Sequence, residues 1–364
     1  MRQSSPTYAL ASVSNDLIVL RREGLYCPEG DFYIDPWRPV GRAIITHAHA
    51  DHARVGHASY LAATPGERVL RARLGDISLE TIDYGESRIV NGVRITLFPA
   101  GHVLGSAQVR LEANGVTWAA SGDYKTAGLN GPAEDRDGTC ASFEPVTCDV
   151  FITESTFGLP IYRWQPQSFL ISEINQWWRA NAEAKRASVL FCYAFGKAQR
   201  LLAAVDASIG PIVCHGAVQA LNTAYRESGV SLPETHLVSE LEPGVLSRAL
   251  VVAPPSAASS PWLKRFGDYS DAFASGWMQL RGARRRRSLD RGFVVSDHAD
   301  WPGLRMAIAA TGAPRVIVTH GQVAPLVRAL RDEGIDASAF ETEYGDEEDD
   351  DGDETAATAA AVTA

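Results

Sequence analysis

His47-Ala48-His49-Ala50-Asp51-His52 follows directly on the apolar run Ala43–Thr46. Alternate residues at a strand end face the same way. His47, His49 and Asp51 therefore share one side, and a turn after Asp51 would swing His52 toward the same centre. Imidazole and carboxylate suit Zn²⁺ and similar cations, and no thiolate is offered. Four ligand-capable side chains within six residues can seed two adjacent metal sites. A polar surface loop is the competing reading, but it needs three of the nine histidines of the chain to fall together by accident.

Three later positions repeat the context of a short apolar run ending in a ligand. They are His102 in Phe98-Pro99-Ala100-Gly101-His102, Asp123 in Ala119-Ala120-Ser121-Gly122-Asp123, and His320 in Val316-Ile317-Val318-Thr319-His320. Singly, such a residue is more often a cap or a turn former. Gathered at one edge of a sheet, the three would stand where α/β active sites collect. Gly101, Gly122 and Gly321 beside them allow tight backbone turns.

The chain has 364 residues, 45% of them apolar, enough for one large or two ordinary domains. Short strands are expected at 17–20, 32–34, 43–46, 93–98, 108–112, 117–120 and 150–153, each bounded by turn formers. From Pro166 the pattern alternates helix (166–181, 197–207, 218–226) with strand (188–192, 212–214, 250–253), which argues for a parallel sheet covered on both faces. Strand and helix alternate again at 293–295, 301–310, 316–319 and 323–331. The fold class is therefore α/β. Two domains are expected: a split one from 15–160 and 288–344, and an α/β insertion at 161–287. Residues 1–14 form a flexible start.

No apolar run approaches the length of a membrane span, and Met1–Asn15 lacks the apolar stretch of a signal peptide. The expected location is the cytoplasm, with no membrane partner. Cys27, Cys140, Cys148, Cys192 and Cys214 are odd in number and show no C-x-x-C spacing, so free thiols are expected. The formal charge of −10 comes from Glu341–Glu354, which holds ten acidic residues and no basic one; without it 34 acidic residues face 34 basic ones. Residues 345–364 read as a disordered acidic tail. A sharper expectation is that this tail competes with nucleic acid for basic surface.

These motifs resemble the metallo-β-lactamase superfamily and, more narrowly, its β-CASP nuclease branch. His47–His52 carries the H-x-H-x-D-H signature, His102 and Asp123 fit the single-residue motifs that follow, and Asp35 in Tyr33-Ile34-Asp35 fits the early aspartate. Glu154, His298 in Ser296-Asp297-His298-Ala299-Asp300, and His320 fit the three β-CASP motifs in order. Within the branch the chain is most similar to the bacterial ligase-associated DNA exonucleases, to which Gly276–Arg287 leading into Ser296–Asp300 also points. The resemblance spans about residues 15–344. It implies an αββα metallo-β-lactamase sandwich with an inserted α/β β-CASP domain.

It also implies a ligand set. One divalent ion would be held by His47, His49 and His102, another by Asp51, His52 and His320, with Asp123 between them; zinc is expected, with manganese as the alternative. Asp35 would orient the ligand loop from behind. Two such ions lower the pKa of a shared water and stabilise the oxygens of an in-line phosphoryl displacement. The departing oxygen needs a proton, and His298 is the candidate general acid, partnered by Glu154. Asp300 reads as the cap of the next helix whether or not His298 has that role.

Arg281, Arg284, Arg285, Arg286, Arg287 and Arg291 crowd the approach to His298. Guanidinium groups bind phosphate in pairs of hydrogen bonds and position a backbone without reading its sequence. A solvated loop in an arginine-rich chain is the alternative. The implied activity is a metal-dependent exodeoxyribonuclease in repair, with DNA as substrate and DNA ligase and helicase as partners. An RNA-processing nuclease of the same architecture is the alternative, because a histidine at the third β-CASP motif is common in RNA-acting members. A small-molecule metallo-hydrolase fits the ligand set but not the long insertion, Glu154, His298 or the arginine run.

Overall fold

The computed structural model describes residues 16–126, 138–280 and 289–344. Three sheets organise the chain. The first has six strands in sequence order, from Val19–Arg21 to Leu79–Ile82. Its first three strands are antiparallel and the rest run parallel.

The second sheet has seven strands. Ser87–Val90, Val93–Pro99, Ala107–Ala113 and Val116–Ala120 form an antiparallel meander. Val150–Ser155, Arg315–Gly321 and Asp336–Ala339 then add in parallel. Val150–Ser155 is central and buried at every position, as a strand covered on both faces should be.

The third sheet is parallel throughout, in the order Ile212–Cys214, Leu250–Ala253, Ala187–Phe191, Tyr269–Ala274, Arg291–Phe293. This is the parallel sheet that the strand–helix alternation implied. Its edge strand Arg291–Phe293 lies beyond residue 287.

The first two sheets face each other. Ile34, Ile44 and Ala63 of one pack with Ile95, Val109, Trp118 and Ile317 of the other in one buried cluster. Helices Trp301–Thr311 and Val323–Asp332 cover the outer face of the second sheet through Ile308, Leu326 and Leu330. Each such aliphatic side chain contributes about 1.5–3 kcal/mol on burial. The outer face of the first sheet packs through Ile45 and Tyr60 on helix Glu67–Leu74 and on the helices of the third sheet, among them Gln167–Glu183. That last helix buries Leu170, Ile174, Trp177, Trp178, Asn181 and Ala182 at helical spacing. Trp177 and Trp178 are thus core residues, their indole N–H groups donating to Ser270 Oγ and the Arg248 carbonyl.

Helix Trp301–Thr311 begins at Asp300, whose carboxylate accepts the Gly303 N–H, and ends at Gly312 in the left-handed region, as the cap assignment for Asp300 anticipated. None of the five cysteines is joined in a disulfide. No helix among the described residues is long and apolar enough to cross a membrane.

Candidate metal centre

The first motif does not continue the alternation of a strand. The strand expected over Ala43–Thr46 stops at Ile44, so His47, His49 and Asp51 do not occupy alternate strand positions. A turn holds them instead, in which the His49 carbonyl accepts the N–H groups of His52 and Ala53. The side chains still converge. His47, His49, His102 and Asp123 bring one nitrogen or oxygen each within 4.8 Å of one another, and so do His52, Asp123 and His320.

Asp123 is the hinge of both groups. Its Oδ2 lies 3.5 Å from His47 Nε2, 3.5 Å from His52 Nε2 and 3.9 Å from His102 Nε2, and its Oδ1 lies 3.1 Å from His320 Nε2. Asp51 Oδ2 is 3.3 Å from His52 Nε2 and stands at the margin, more exposed than the rest. Asp35 joins His47 and His52 in a third group, and Asp123, Glu154 and His298 make a fourth.

The rings are fixed from outside. His47 Nδ1 meets Thr46 Oγ1 at 3.0 Å, His52 Nδ1 meets Asp35 Oδ2 at 2.8 Å, His102 Nδ1 meets the Asp297 carbonyl at 2.9 Å, and His320 Nδ1 meets Thr319 Oγ1 at 2.9 Å. Four rings therefore turn Nε2 inward. His49 is the exception: its Nε2 reaches the Phe195 carbonyl at 3.4 Å, and its Nδ1 faces His102 Nε2 at 3.0 Å. Outer partners of this kind set tautomer and basicity in metal sites. The two threonines act alike. Thr46 donates its hydroxyl to Asp35, and Thr319 donates to the Thr153 carbonyl, so each oxygen can accept from the ring that follows it.

Asp35 also accepts the Thr46 N–H at 2.7 Å, and it adopts a φ of 43°, a strained setting for a non-glycine residue. The glycines expected to allow sharp turns, Gly101, Gly122 and Gly321, all have positive φ. At Gly122 a Cβ would sit 2.6 Å from Thr46 Oγ1, so that glycine also makes room for the threonine behind His47.

Burial pushes the imidazoles of His47, His49 and His102 down, His49 to about 4 and His102 to about 3. They are neutral bases at physiological pH. Burial opposes charge on His52 as well, but Asp51 and Asp123 outweigh it and raise His52 well above the ordinary value. Burial likewise opposes ionisation of Asp51, and charged His52 outweighs it, holding that carboxyl at about 2.

The residues fit a bound divalent pair on their own chemistry. The Nε2 atoms of His47 and His52 are buried without a hydrogen-bond partner, and both aim at the Asp123 carboxylate. Orphaned buried nitrogens are costly unless something satisfies them. A cation seated between neutral imidazoles and carboxylates does so.

His298 stands beside this cluster, its ring 4.5 Å from that of His102. Glu154 Oε2 and Oε1 lie 2.9 and 3.1 Å from its Nδ1. The same carboxylate accepts the Tyr124 N–H at 2.7 Å and the Thr156 hydroxyl at 2.6 Å, so it is rigidly held.

Arg281, Arg284, Arg285, Arg286 and Arg287 lie outside the described residues, as does the acidic tail 345–364. Arg291 is exposed on the edge strand of the third sheet, 3.9 Å from Glu173 and over the Phe293 ring. Sequence reasoning missed Thr46, Thr319, Asp297 and Tyr344. The two threonines had a signal, since each stands directly before a histidine of the cluster as Thr-His.

No family model matches the chain. It is 29% identical over 322 residues to a "Probable DNA ligase" of Opitutus terrae, an alignment covering 87% of this chain and 30% of that protein. It is 34% identical over 128 residues to an "Endoribonuclease YSH1" of Kluyveromyces lactis, covering 35% of this chain and 16% of the relative. It is 31% identical over 179 residues to "Cleavage and polyadenylation specificity factor 73" of Drosophila melanogaster, covering 46% and 24%. The chain thus spans less than a third of the length of each of these relatives. Among solved structures, a protein of unknown function from Enterococcus faecalis superposes with a TM-score of 0.53 over 84% of this chain and 80% of that one, at 13% identity. That likeness speaks for the fold alone.

Proposed function

We propose that this chain, which belongs to the β-CASP branch of the metallo-β-lactamase superfamily, is a two-metal DNA exonuclease. The carrying observation is the pair of ligand groups that share Asp123, with the His298–Glu154 pair at their side. In this reading His47, His49 and His102 hold one ion, His52 and His320 hold the other with Asp51 at its margin, and Asp123 serves both. The bound pair would supply Lewis acidity at the phosphate and a nucleophile from water at neutral pH.

The protein side chains do the rest. Asp35 fixes His52 directly and His47 through the Thr46 hydroxyl. Glu154 holds Nδ1 of His298, orients the ring and favours its charged form. His298 then delivers a proton from its other nitrogen to the departing oxygen. The domain division at 161–287, the exonuclease mode and the arginine contacts to phosphate belong to the same proposal.

DNA is favoured because the alignment that runs along 87% of the chain is to a ligase-named protein. A DNA ligase, and a helicase by family resemblance, are the proposed partners. The endoribonuclease and polyadenylation-factor names of other relatives support RNA as the second reading. End-labelled single- and double-stranded DNA beside RNA, with zinc or manganese added, separates the two. Ladder or mononucleotide products from DNA, abolished by chelator and by Asp123→Ala, are expected. Cleavage of RNA alone would overturn the DNA assignment, and turnover that survives Asp123→Ala would overturn the two-metal one.

A further inference from the structure

The last described residues cross the open end of the sandwich as a strap. The Phe340 N–H donates to the Val318 carbonyl at 3.0 Å, and the Thr342 hydroxyl donates to the Thr319 carbonyl at 3.4 Å, both on the second sheet. Glu343 pairs with Arg38 at 2.7 Å, and the Tyr344 hydroxyl points to the Ile34 carbonyl at 3.5 Å, both on the side of the first sheet.

The strap ends on the metal centre. The Tyr344 ring stacks on His52, with centroids 4.5 Å apart and planes 13° apart. It meets His320 edge to face at 5.3 Å and 74°. Behind it, the Trp37 ring closes the third side at 5.5 Å and 83°.

His52 sits in the turn that follows the first sheet's Ala43–Ile44 strand and His320 on the second sheet, and their rings stand 5.9 Å apart at 63°. Each is held at its outer nitrogen by its own neighbour, Asp35 or Thr319. Those bonds leave each ring able to tilt about its own anchor. Stacked and edge-on aromatic contacts restrict such tilts. Tyr344 makes one contact of each kind, one with each ring.

We propose that Tyr344 is a positioning residue for the ion held by His52, Asp123 and His320. Its ring sets the mutual orientation of two imidazoles, one from a turn and one from the second sheet, and it does so as a flat face. The hydroxyl bond is long and serves only to seat the ring. The inference rests on the two-metal reading. It assigns to one residue, within the acidic run, a share in the affinity of one ion of the two.

The test is metal binding by the full chain, independent of turnover. Metal-free protein is titrated with zinc alone by calorimetry, and the ions retained after dialysis are counted by mass spectrometry. The unsubstituted chain is expected to bind two ions. Tyr344→Leu and Tyr344→Met should keep the first and bind the second about 10–100-fold more weakly, the range found when outer partners of metal ligands are removed. Tyr344→Phe should bind both as the unsubstituted chain does, because it keeps the face. The melting temperatures of all metal-free forms should agree, and a chain ending at Tyr344 should match the full one.

Wild-type affinity for both ions in Tyr344→Leu or Tyr344→Met would overturn the proposal. So would equal weakening of both ions, or a Phe variant as weak as the Leu variant. Should Tyr344→Leu fail to fold, Tyr344→Met decides. Failure of the unsubstituted chain to bind two ions would count against the two-metal reading instead.

Discussion

The two halves of the cluster share Asp123 and differ in almost everything else. On one side His47 and His102, buried, and His49, half-buried, offer three nitrogens that desolvation keeps neutral. On the other, His52 and His320 are bordered by Asp51 and backed by Asp35, and carboxylates hold His52 charged when no ion is bound. A nitrogen-rich half suits zinc, and an oxygen-richer one accepts harder ions such as manganese more readily. One shared carboxylate can therefore join two sites of unequal taste.

The largest effects should come from ligands private to one half. His102→Ala is expected to empty the nitrogen-rich half and abolish turnover whatever ion is added. His320→Ala should thin the other half, with turnover partly restored by excess manganese. Metal content measured beside nuclease turnover checks both, and equal loss of both ions from either variant would erase the distinction.

Next in size is His298→Ala. It should retain both ions and lose about 10²–10⁴-fold in turnover, the usual worth of a positioned proton donor. Loss of metal in that variant would make His298 a ligand and redraw the boundary of the cluster.

Smaller effects should follow from the groups behind the ligands. Asp35→Asn reaches His52 directly and His47 through Thr46, so it should weaken both halves by about 10–100-fold. Thr319→Val touches only His320 and should weaken one half by less. A titration that finds the two variants alike would remove the asymmetry.

The smallest effect is on the pH dependence of the metal-free protein. His49 and His102 stay neutral down to about 4 and about 3, below the ordinary value near 6.5. As pH falls below about 6.5 the unfolded chain takes up protons first, so these two destabilise the fold progressively. His52 has the opposite sign. Its contribution is full below about 6.5 and is lost as pH rises through its raised folded value. Denaturant midpoints across pH should therefore fall less steeply toward acid in His102→Gln and more steeply in His52→Gln.

The convergence of these side chains was legible in the sequence, because they follow apolar runs and concentrate in one six-residue motif. His47, His49 and Asp51 nevertheless do not alternate from a strand end, since the strand stops at Ile44 and His49–Ala53 form a turn. The parallel third sheet was legible from its alternation of strand and helix, except for its strand Tyr269–Ala274, which went unread.

Strands Gly24–Cys27, Tyr60–Ala63, Leu79–Ile82 and Asp336–Ala339 went unread. Each is four residues long, too short to show a period, and sheet neighbours define it more than its own residues do. Helix Glu67–Leu74 buries only Val69 and Leu70, which is too little for an apolar stripe. Tyr344 was hidden for another reason. It stands inside the acidic stretch Glu341–Glu354, where sequence gives no cue to a packed aromatic.

The apolar cluster that joins Ile45 and Tyr60 to Leu170, Trp178, Leu190 and Leu250 runs without a break from the first sheet into the third. The third sheet and its helices therefore share one core with the first sheet. Removing the side chains of Leu170 and Trp178 would open the outer face of the first sheet as well as their own helix.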